Sequence, residues 1–306
     1  MRFAVMGAGS IGCYFGALLA RAGEQVTLIG RKRHVDAINE RGLLLEVGQK
    51  SHAVPIRATT HANGVADADV VLVCVKSGDT EDAGRQMAPY LKDDAILLSL
   101  QNGVDNAHRL AAIVDRTVVP VAVYVATAMS GSGHVKHYGR GDLIIGPCPK
   151  EKEIVERFSA AGIPVEVSAN AIDALWAKLI LNCAYNPLSA LTRLPYGRMF
   201  GVAGMETLVR DVVEECCAVA QATGISVPAD ILADVLGLAA TMPHQSSSTA
   251  QDLAAGRRTE IDHLNGFIVR SGAQLGIPTP VNHALYTLVK GAEIEADGFQ
   301  DQTELL

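Results

Sequence analysis

Long apolar runs are missing from this sequence. The longest, such as Val70-Val71-Leu72-Val73-Cys74-Val75, are about strand length and far short of the roughly 20 residues that span a bilayer, so no transmembrane helix is expected. Excess positive charge is missing too. With 26 Lys and Arg against 33 Asp and Glu the formal net charge is -7, which removes any general attraction to nucleic-acid phosphates or anionic lipid. The only compact basic cluster is Arg31-Lys32-Arg33-His34. No Cys-x-x-Cys pair occurs. The six cysteines, at 13, 74, 148, 183, 216 and 217, are scattered through apolar segments, which fits reduced, buried thiols and neither a disulfide framework nor a zinc site, so no metal is expected. A Gly-x-Ser-x-Gly elbow is also absent, which argues against a serine hydrolase. His34, His108, His244 and His263 share no spacing with carboxylates or cysteines and read as surface or packing residues. The opening, Met1-Arg2-Phe3-Ala4-Val5-Met6-Gly7, reaches glycine too early for a secretory h-region, and a cytoplasmic protein is expected.

What is present is a globular composition, 49% hydrophobic and 19% charged over 306 residues. That is about twice the ~150-residue prior for one domain, so two domains are expected. The first half alternates short β-branched runs with helical patterns: strands at 2–6, 25–29, 69–75 and 95–100, helices at 11–22, 33–41, 80–91 and 105–113, with an irregular stretch after Arg41. Such alternation predicts a doubly wound parallel sheet with helices on both faces. From Thr117 glycine-separated strands at 118–127, 134–137 and 142–146 predict a short antiparallel addition, and a helix at 150–161 and a strand at 164–167 close the domain. From Asn170 the helical period returns repeatedly, with breaks expected at Pro187, Pro195, Pro228, Pro243 and Pro278 and a frayed tail from Asp297 to Leu306. The division is therefore an α/β domain over 1–168 and an all-α domain over 169–306.

Gly7-Ala8-Gly9-Ser10-Ile11-Gly12 fits G-x-G-x-x-G between a strand and an apolar helix, the setting in which that pattern binds a dinucleotide. The first glycine permits the tight turn, the second lets backbone approach a pyrophosphate, and the third brings helix against strand, with the N–H groups of Ser10, Ile11 and Gly12 opening the helix. At the end of the second strand, where an acid would bind the ribose 2′-OH of NAD, stands Leu28-Ile29-Gly30-Arg31-Lys32-Arg33. Arg31 offers a planar fork suited to a 2′-phosphate, so the cofactor is read as NADP. Lys76 and Gln101-Asn102-Gly103 follow hydrophobic strands, where the carboxyl ends of parallel strands meet a ligand crevice. A turn role for Asn102-Gly103 is equally natural.

In the second half, Lys178, Asn182 and Asn186 are the polar exceptions in an otherwise apolar helix. Spaced four apart, they form one stripe that drifts about 40° per step. It reads either as a solvent face or as the wall of a functional cleft. Further on, Thr259 with Asp262 reads as a capping box and Glu260 as a first-turn carboxylate, while Ser248 and Gln251 read as cap and box partner of the preceding helix. Proton chemistry falls to Lys178 or Glu260.

Together these residues resemble the ketopantoate reductase family: Gly7 to Gly12, Arg31, Val73-Cys74-Val75-Lys76, Gln101-Asn102-Gly103, Lys178 through Leu188, and Ser247-Ser248 before Thr259-Glu260-Ile261-Asp262. The resemblance implies a Rossmann-type NADP-binding domain, a helical domain like the C-terminal domain of 6-phosphogluconate dehydrogenase, and NADPH-dependent reduction of a 2-oxo acid. It implies that Lys178 bonds the 2-oxo oxygen and delivers the proton, and that Glu260 holds the substrate hydroxyl. It places Asn182, Asn186 and Ser248 on the carboxylate and hydroxyl ends, with Lys76 and Asn102 at the nicotinamide and substrate. The partner is then a small 2-oxo acid, with no nucleic acid or membrane involved and a homodimer left open. One stretch departs from the family: where pantothenate-pathway members carry Cys-Pro-Asn-Gly, this chain has Leu194-Pro195-Tyr196-Gly197. Tyrosine keeps a donor but fills more space, which leaves ketopantoate and another branched or hydroxylated 2-oxo acid as alternative substrates. A non-catalytic NADP-binding sensor would need the glycine turn and Arg31 but not Lys178, Asn182, Asn186 and Glu260.

Overall fold

In the computed structural model, which describes residues 1–303 with side chains described through Ile294, the chain divides into two compact units, Met1–Ala174 and Leu175–Leu306. The first unit begins with β1 (Arg2–Met6), α1 (Ser10–Arg21), β2 (Gln25–Ile29) and α2 (Lys32–Arg41). The stretch after Arg41 is not irregular: it forms β3 (Leu43–Val47), β4 (Lys50–Val54) and β5 (Arg57–Thr59). Then come β6 (Val70–Val73), α3 (Thr80–Met87), β7 (Ile96–Ser99), α4 (Asn106–Val114), β8 (Val118–Gly131), β9 (His134–Ile145), α5 (Glu151–Ala160) and β10 (Val165–Val167).

Six strands in the order β5-β2-β1-β6-β7-β8 are parallel, the doubly wound arrangement in which strand order reverses beside β1. Alternation along the strands sorts the core into two layers. Phe3, Val5, Val70 and Leu72 face Phe15 and Leu19 of α1, whereas Ala4, Met6, Val71 and Val73 face Met87 of α3 and Leu110 of α4. A sheet buried on both faces needs such continuous apolar runs. The antiparallel addition is larger than the glycine spacing suggests. Residues 134–145 form one strand, β9, that pairs antiparallel with β8 through register shifts near Val125, Thr127 and Gly131, and β9 in turn carries β3 and β10 as parallel neighbours. Arg140, at φ 56°, sits at the kink where two strands were expected.

The second unit is helical: α6 (Ala171–Thr192, entered from the first unit), α7 (Tyr196–Met199), α8 (Met205–Ala222), α9 (Ile231–Thr241), α10 (Ser248–Ala254), α11 (Asn265–Leu275) and α12 (Pro280–Thr303). Val209, Val212, Cys216 and Val219, three or four apart on α8, are fully buried, the spacing of a core-facing stripe. Pro187 does not break its helix as expected but lies inside α6. The backbone of α12 continues through Thr303, past the expected start of fraying at Asp297, and residues 304–306 lie outside the described residues.

Candidate functional site

Registers Met6↔Ile29, Met6↔Val73 and Val73↔Ser99 bring the ends of β1, β2, β6 and β7 to one level. The loops carrying Gly7, Arg31, Lys76 and Asn102 therefore leave the sheet side by side. Gly7 has φ +113°, and a Cβ there would stand 2.7 Å from the Cys74 carbonyl carbon, so glycine is required on both grounds. Its N–H and that of Ala8 donate to the Ile29 carbonyl at 3.0 and 2.9 Å, tying the turn to β2. A Cβ on Gly12 would meet the Gly7 carbonyl oxygen at 2.2 Å and Val5 Cγ1 at 2.7 Å, which is the close helix–strand approach expected of the third glycine. Gly9 is different. At φ -87° it caps α1, and a Cβ there would meet nothing within 4 Å. Its missing side chain serves no internal packing and leaves a cradle at the helix start, where the Ser10, Ile11 and Gly12 N–H groups precede the first turn's bond from Cys13 N–H to the Gly9 carbonyl, 2.8 Å. The first turn carries no acid. These features fit a dinucleotide's pyrophosphate. Beneath the turn, burial pushes the Cys13 thiol up to about 12, a packing group and not a nucleophile.

Arg31, Lys32 and Arg33 separate in the structure. Lys32 Nζ is paired with Asp36 at 2.7 Å and Arg33 Nε lies 3.2 Å from His34 Nε2. Arg31, extended at φ -69°, ψ 145° as the cap of α2, is exposed, and among the described residues its guanidinium makes no hydrogen bond or ion pair. Burial, then the charges of Arg33 and Arg31, hold the His34 imidazole below its ordinary pKa, and its Nδ1 accepts from the Gly133 N–H at 3.2 Å.

Lys76 and Asn102 sit on loops that a buried polar network crosslinks. Ser77 Oγ donates to the Asn102 carbonyl at 2.9 Å and Asn106 Nδ2 to the same carbonyl at 2.5 Å. Thr80 Oγ1 accepts from Gln101 Nε2 at 2.7 Å and lies 3.1 Å from Asn106 Oδ1. Arg109 donates to Glu81 through both Nε and Nη2 at 2.7 Å and to the Ser77 carbonyl at 2.9 Å. Ser77 and Thr80 are fully buried, so water cannot replace the bonds their hydroxyls make. Of this network Gln101 and Asn102 stand out in the sequence; apart from the bond between Asn106 and Asn102, four residues apart, the partners lie 21 or more residues from one another and no local pattern announces them.

In the second unit α6 carries Lys178, Asn182 and Asn186 on one face, the first two half-buried and Asn186 buried at 4% exposure. The stripe is thus no plain solvent face. Asn186 Nδ2 reaches Ser248 Oγ at 3.5 Å, and Ser247 Oγ donates to the Asn186 carbonyl at 3.1 Å. The cap of α10 is Ser247, whose Oγ accepts from the Ala250 N–H at 3.0 Å, and not Ser248, which is the first helical residue and so has its hydroxyl directed to Asn186.

Nor does the Thr259 and Asp262 capping box form. Thr259 turns to α12, with its N–H and Oγ1 both donating to Glu293 Oε1, at 2.8 and 2.6 Å. Asp262 binds Lys290 Nζ at 3.0 Å and Tyr286 Oη at 2.9 Å. Burial alone would raise the Asp262 carboxyl, but the hydrogen bonds from Lys290 and Tyr286 outweigh it and hold it below its ordinary value. Glu260, half-buried, precedes only a three-residue 3-10 turn, Ile261–His263, and α11 starts at Asn265. A long helix whose dipole would occupy this carboxylate is therefore not there.

Tyr196, the departure from the family pattern, is 7% exposed and packs edge-on against Tyr185 with ring centroids 4.6 Å apart, and burial pushes its phenol well above the usual value. Its extra volume is absorbed by core. Among the described residues no helix is long and apolar enough to cross a membrane.

Comparison with known proteins covers both units. Residues 3–150 match the family described as ketopantoate reductase PanE/ApbA, and residues 170–293 its C-terminal counterpart. A 2-dehydropantoate 2-reductase of Pyrococcus horikoshii is 35% identical over 96% of this chain and 98% of its own length. A PanE/ApbA family ketopantoate reductase from Ralstonia eutropha superposes with TM-score 0.95 at 53% identity, over 97% of this chain and 99% of that one. A 2-dehydropantoate 2-reductase from Geobacter metallireducens gives TM-score 0.89 at 27% identity, over 95% and 100%. With both family models matched in sequence order across the two units, this chain belongs to the ketopantoate reductase family.

Proposed function

We propose that this protein catalyses the NADPH-dependent reduction of 2-dehydropantoate to pantoate. The observation that carries the reading is the one-sided polar stripe of α6, with Lys178 and Asn182 half-buried and Asn186 buried against Ser248. When bound, NADPH supplies a hydride to the substrate carbonyl carbon. Gly7, Gly9, Ser10, Ile11 and Gly12 would hold its pyrophosphate and Arg31 its 2′-phosphate, with Lys76 and Asn102 at the nicotinamide end.

Reduction develops negative charge on the 2-oxo oxygen. A lysine ammonium placed there stabilises that charge more strongly as the barrier is crossed than in the ground state, and a proton passes from Lys178 Nζ to the oxygen. Asn182, Asn186 and Ser248 orient the substrate through its carboxylate and hydroxyl. Glu260 accepts a hydrogen bond from the substrate's 4-hydroxyl. The setting is cytoplasmic in this reading, in keeping with six free cysteines.

Tyr196 favours a second reading, the same chemistry on another branched or hydroxylated 2-oxo acid, because a buried aromatic stands where the family's asparagine is expected. NADPH consumption measured against 2-dehydropantoate and 2-oxoisovalerate separates the two. A site built to bond a hydroxyl rejects the analogue that lacks it, by up to about 10⁴-fold. Equal kcat/KM for the two acids overturns the role given to Glu260, and no turnover across a wider panel of 2-oxo acids returns the chain to an NADP-binding sensor.

A further inference from the structure

Pro187 has no N–H and lies inside α6, so the carbonyl four residues earlier, that of Cys183, loses its helical donor. That carbonyl accepts instead from Asn265 Nδ2 at 3.0 Å, across 82 residues of sequence. We infer that Asn265 is a positioning residue that replaces the hydrogen bond Pro187 removes and thereby fixes the course of α6 between Asn182 and Asn186. The inference rests on the reading of that stripe as the substrate-binding face.

The orientation of the Asn265 amide is determined by its neighbours. Asn282 donates through its backbone N–H and Nδ2 to Glu215 Oε2, at 2.9 and 2.8 Å. A carboxylate only accepts, so the amide nitrogen of Asn282 faces Glu215 and its Oδ1 faces away. That Oδ1 is 3.0 Å from Asn265 Nδ2. Both amide hydrogens of Asn265 are then committed, one to Asn282 Oδ1 and one to the Cys183 carbonyl. Reversing the amide would set oxygen against two acceptors. Asn265 and Asn282 are fully buried, and Asn265 Oδ1 has no hydrogen-bond partner among the described residues. A buried acceptor left unpaired is unfavourable, and the side chain sits in this position nonetheless because its donors are what the helix needs. The chain of contacts runs from Glu215, which also accepts from the Val281 N–H at 2.8 Å, through Asn282 and Asn265 to the one turn of α6 that lacks its own bond.

The test is a double-mutant cycle of Asn265→Ala and Pro187→Ala, read by thermal unfolding and by kinetics with NADPH. Asn265→Ala should lower Tm by about 5 °C or more and raise KM for the 2-oxo acid about tenfold, more than it lowers kcat, while leaving the NADPH Kd unchanged. Pro187→Ala restores a backbone N–H beneath the Cys183 carbonyl, so the double variant should recover at least about half of both losses, the bond to Asn282 accounting for the rest. Additive losses overturn the inference. If Asn265→Ala does not fold alone, recovery of folded protein in the double variant supports it and failure to recover overturns it. The Tm coupling does not depend on which substrate is reduced, so its failure is distinct from failure of the proposed activity.

Discussion

Thr259 is bound twice to one oxygen of Glu293, through its N–H at 2.8 Å and its hydroxyl at 2.6 Å, while Glu293 Oε2 lies 2.6 Å from Lys290 Nζ. Glu260 is the next residue along the chain, so its backbone is held between this anchor on α12 and the local bond from the Ile261 N–H to Thr259 Oγ1, 3.2 Å. Glu293→Ala removes both charge-assisted bonds and should destabilise the fold by about 2–4 kcal/mol. In urea titration the midpoint falls. In kinetics the preference for the hydroxylated 2-oxo acid should shrink while NADPH affinity holds; an unchanged preference would show that Glu260 keeps its place without this anchor.

The two glycines that bracket the start of α1 should behave in opposite ways. Gly12→Ala places a methyl group 2.2 Å from the Gly7 carbonyl oxygen and should destabilise the protein by about 1–3 kcal/mol, as overpacking does. Gly9→Ala meets nothing within 4 Å and should leave Tm within about 2 °C, since surface changes away from strain stay near ±0.5 kcal/mol, yet weaken NADPH binding measured by fluorescence titration. Loss of stability in Gly9→Ala would show that the cradle is filled by the protein itself.

Arg31→Ala removes a guanidinium with no structural partner among the described residues. NADPH affinity should fall by about 1.5–3 kcal/mol and NADH affinity barely change, because only NADPH carries the 2′-phosphate. Lys32→Ala, whose ammonium is already paired with Asp36, should have a smaller effect. Equal losses of both cofactors on Arg31→Ala would make the residue structural.

Lys178→Ala should lower kcat by at least about a hundredfold with NADPH Kd unchanged, within the usual range for a positioned proton donor. A loss below about tenfold moves the proton to another group.

Much of this was legible in the chain itself, and the failures have physical causes. The glycine turn, the parallel alternation and the helical second half announce themselves because each is written in contiguous residues. Strands β3, β4 and β5 did not. Four of the five residues of β4 are exposed, so no apolar alternation marks it, and β3 pairs with residues 134–137, far along the sequence. Pro187 carries the local signature of a helix stop, and the donor that takes over at the Cys183 carbonyl comes from Asn265, 82 residues away. Ser247 rather than Ser248 caps α10, a one-residue choice between two adjacent serines that goes with contacts to α6, Ser247 N–H to Ser189 Oγ and Ser247 Oγ to the Asn186 carbonyl, which no local pattern shows. Similarly, Thr259 looked like half of a capping box because Glu293, its true partner, lies 34 residues away.

The network joining Ser77, Thr80, Gln101, Asn106 and Arg109 has a thermodynamic consequence. Loops at the ends of parallel strands commonly lose conformational freedom when a ligand arrives, and that ordering opposes binding. Here the loops after β6 and β7 are locked to each other when the domain folds. The entropy loss is thus borne by folding, where burial of two apolar layers offsets it, and the association of a flexible dinucleotide meets a surface already arranged. Disrupting this network should appear first as a less favourable binding entropy, before any contact to the ligand itself has changed.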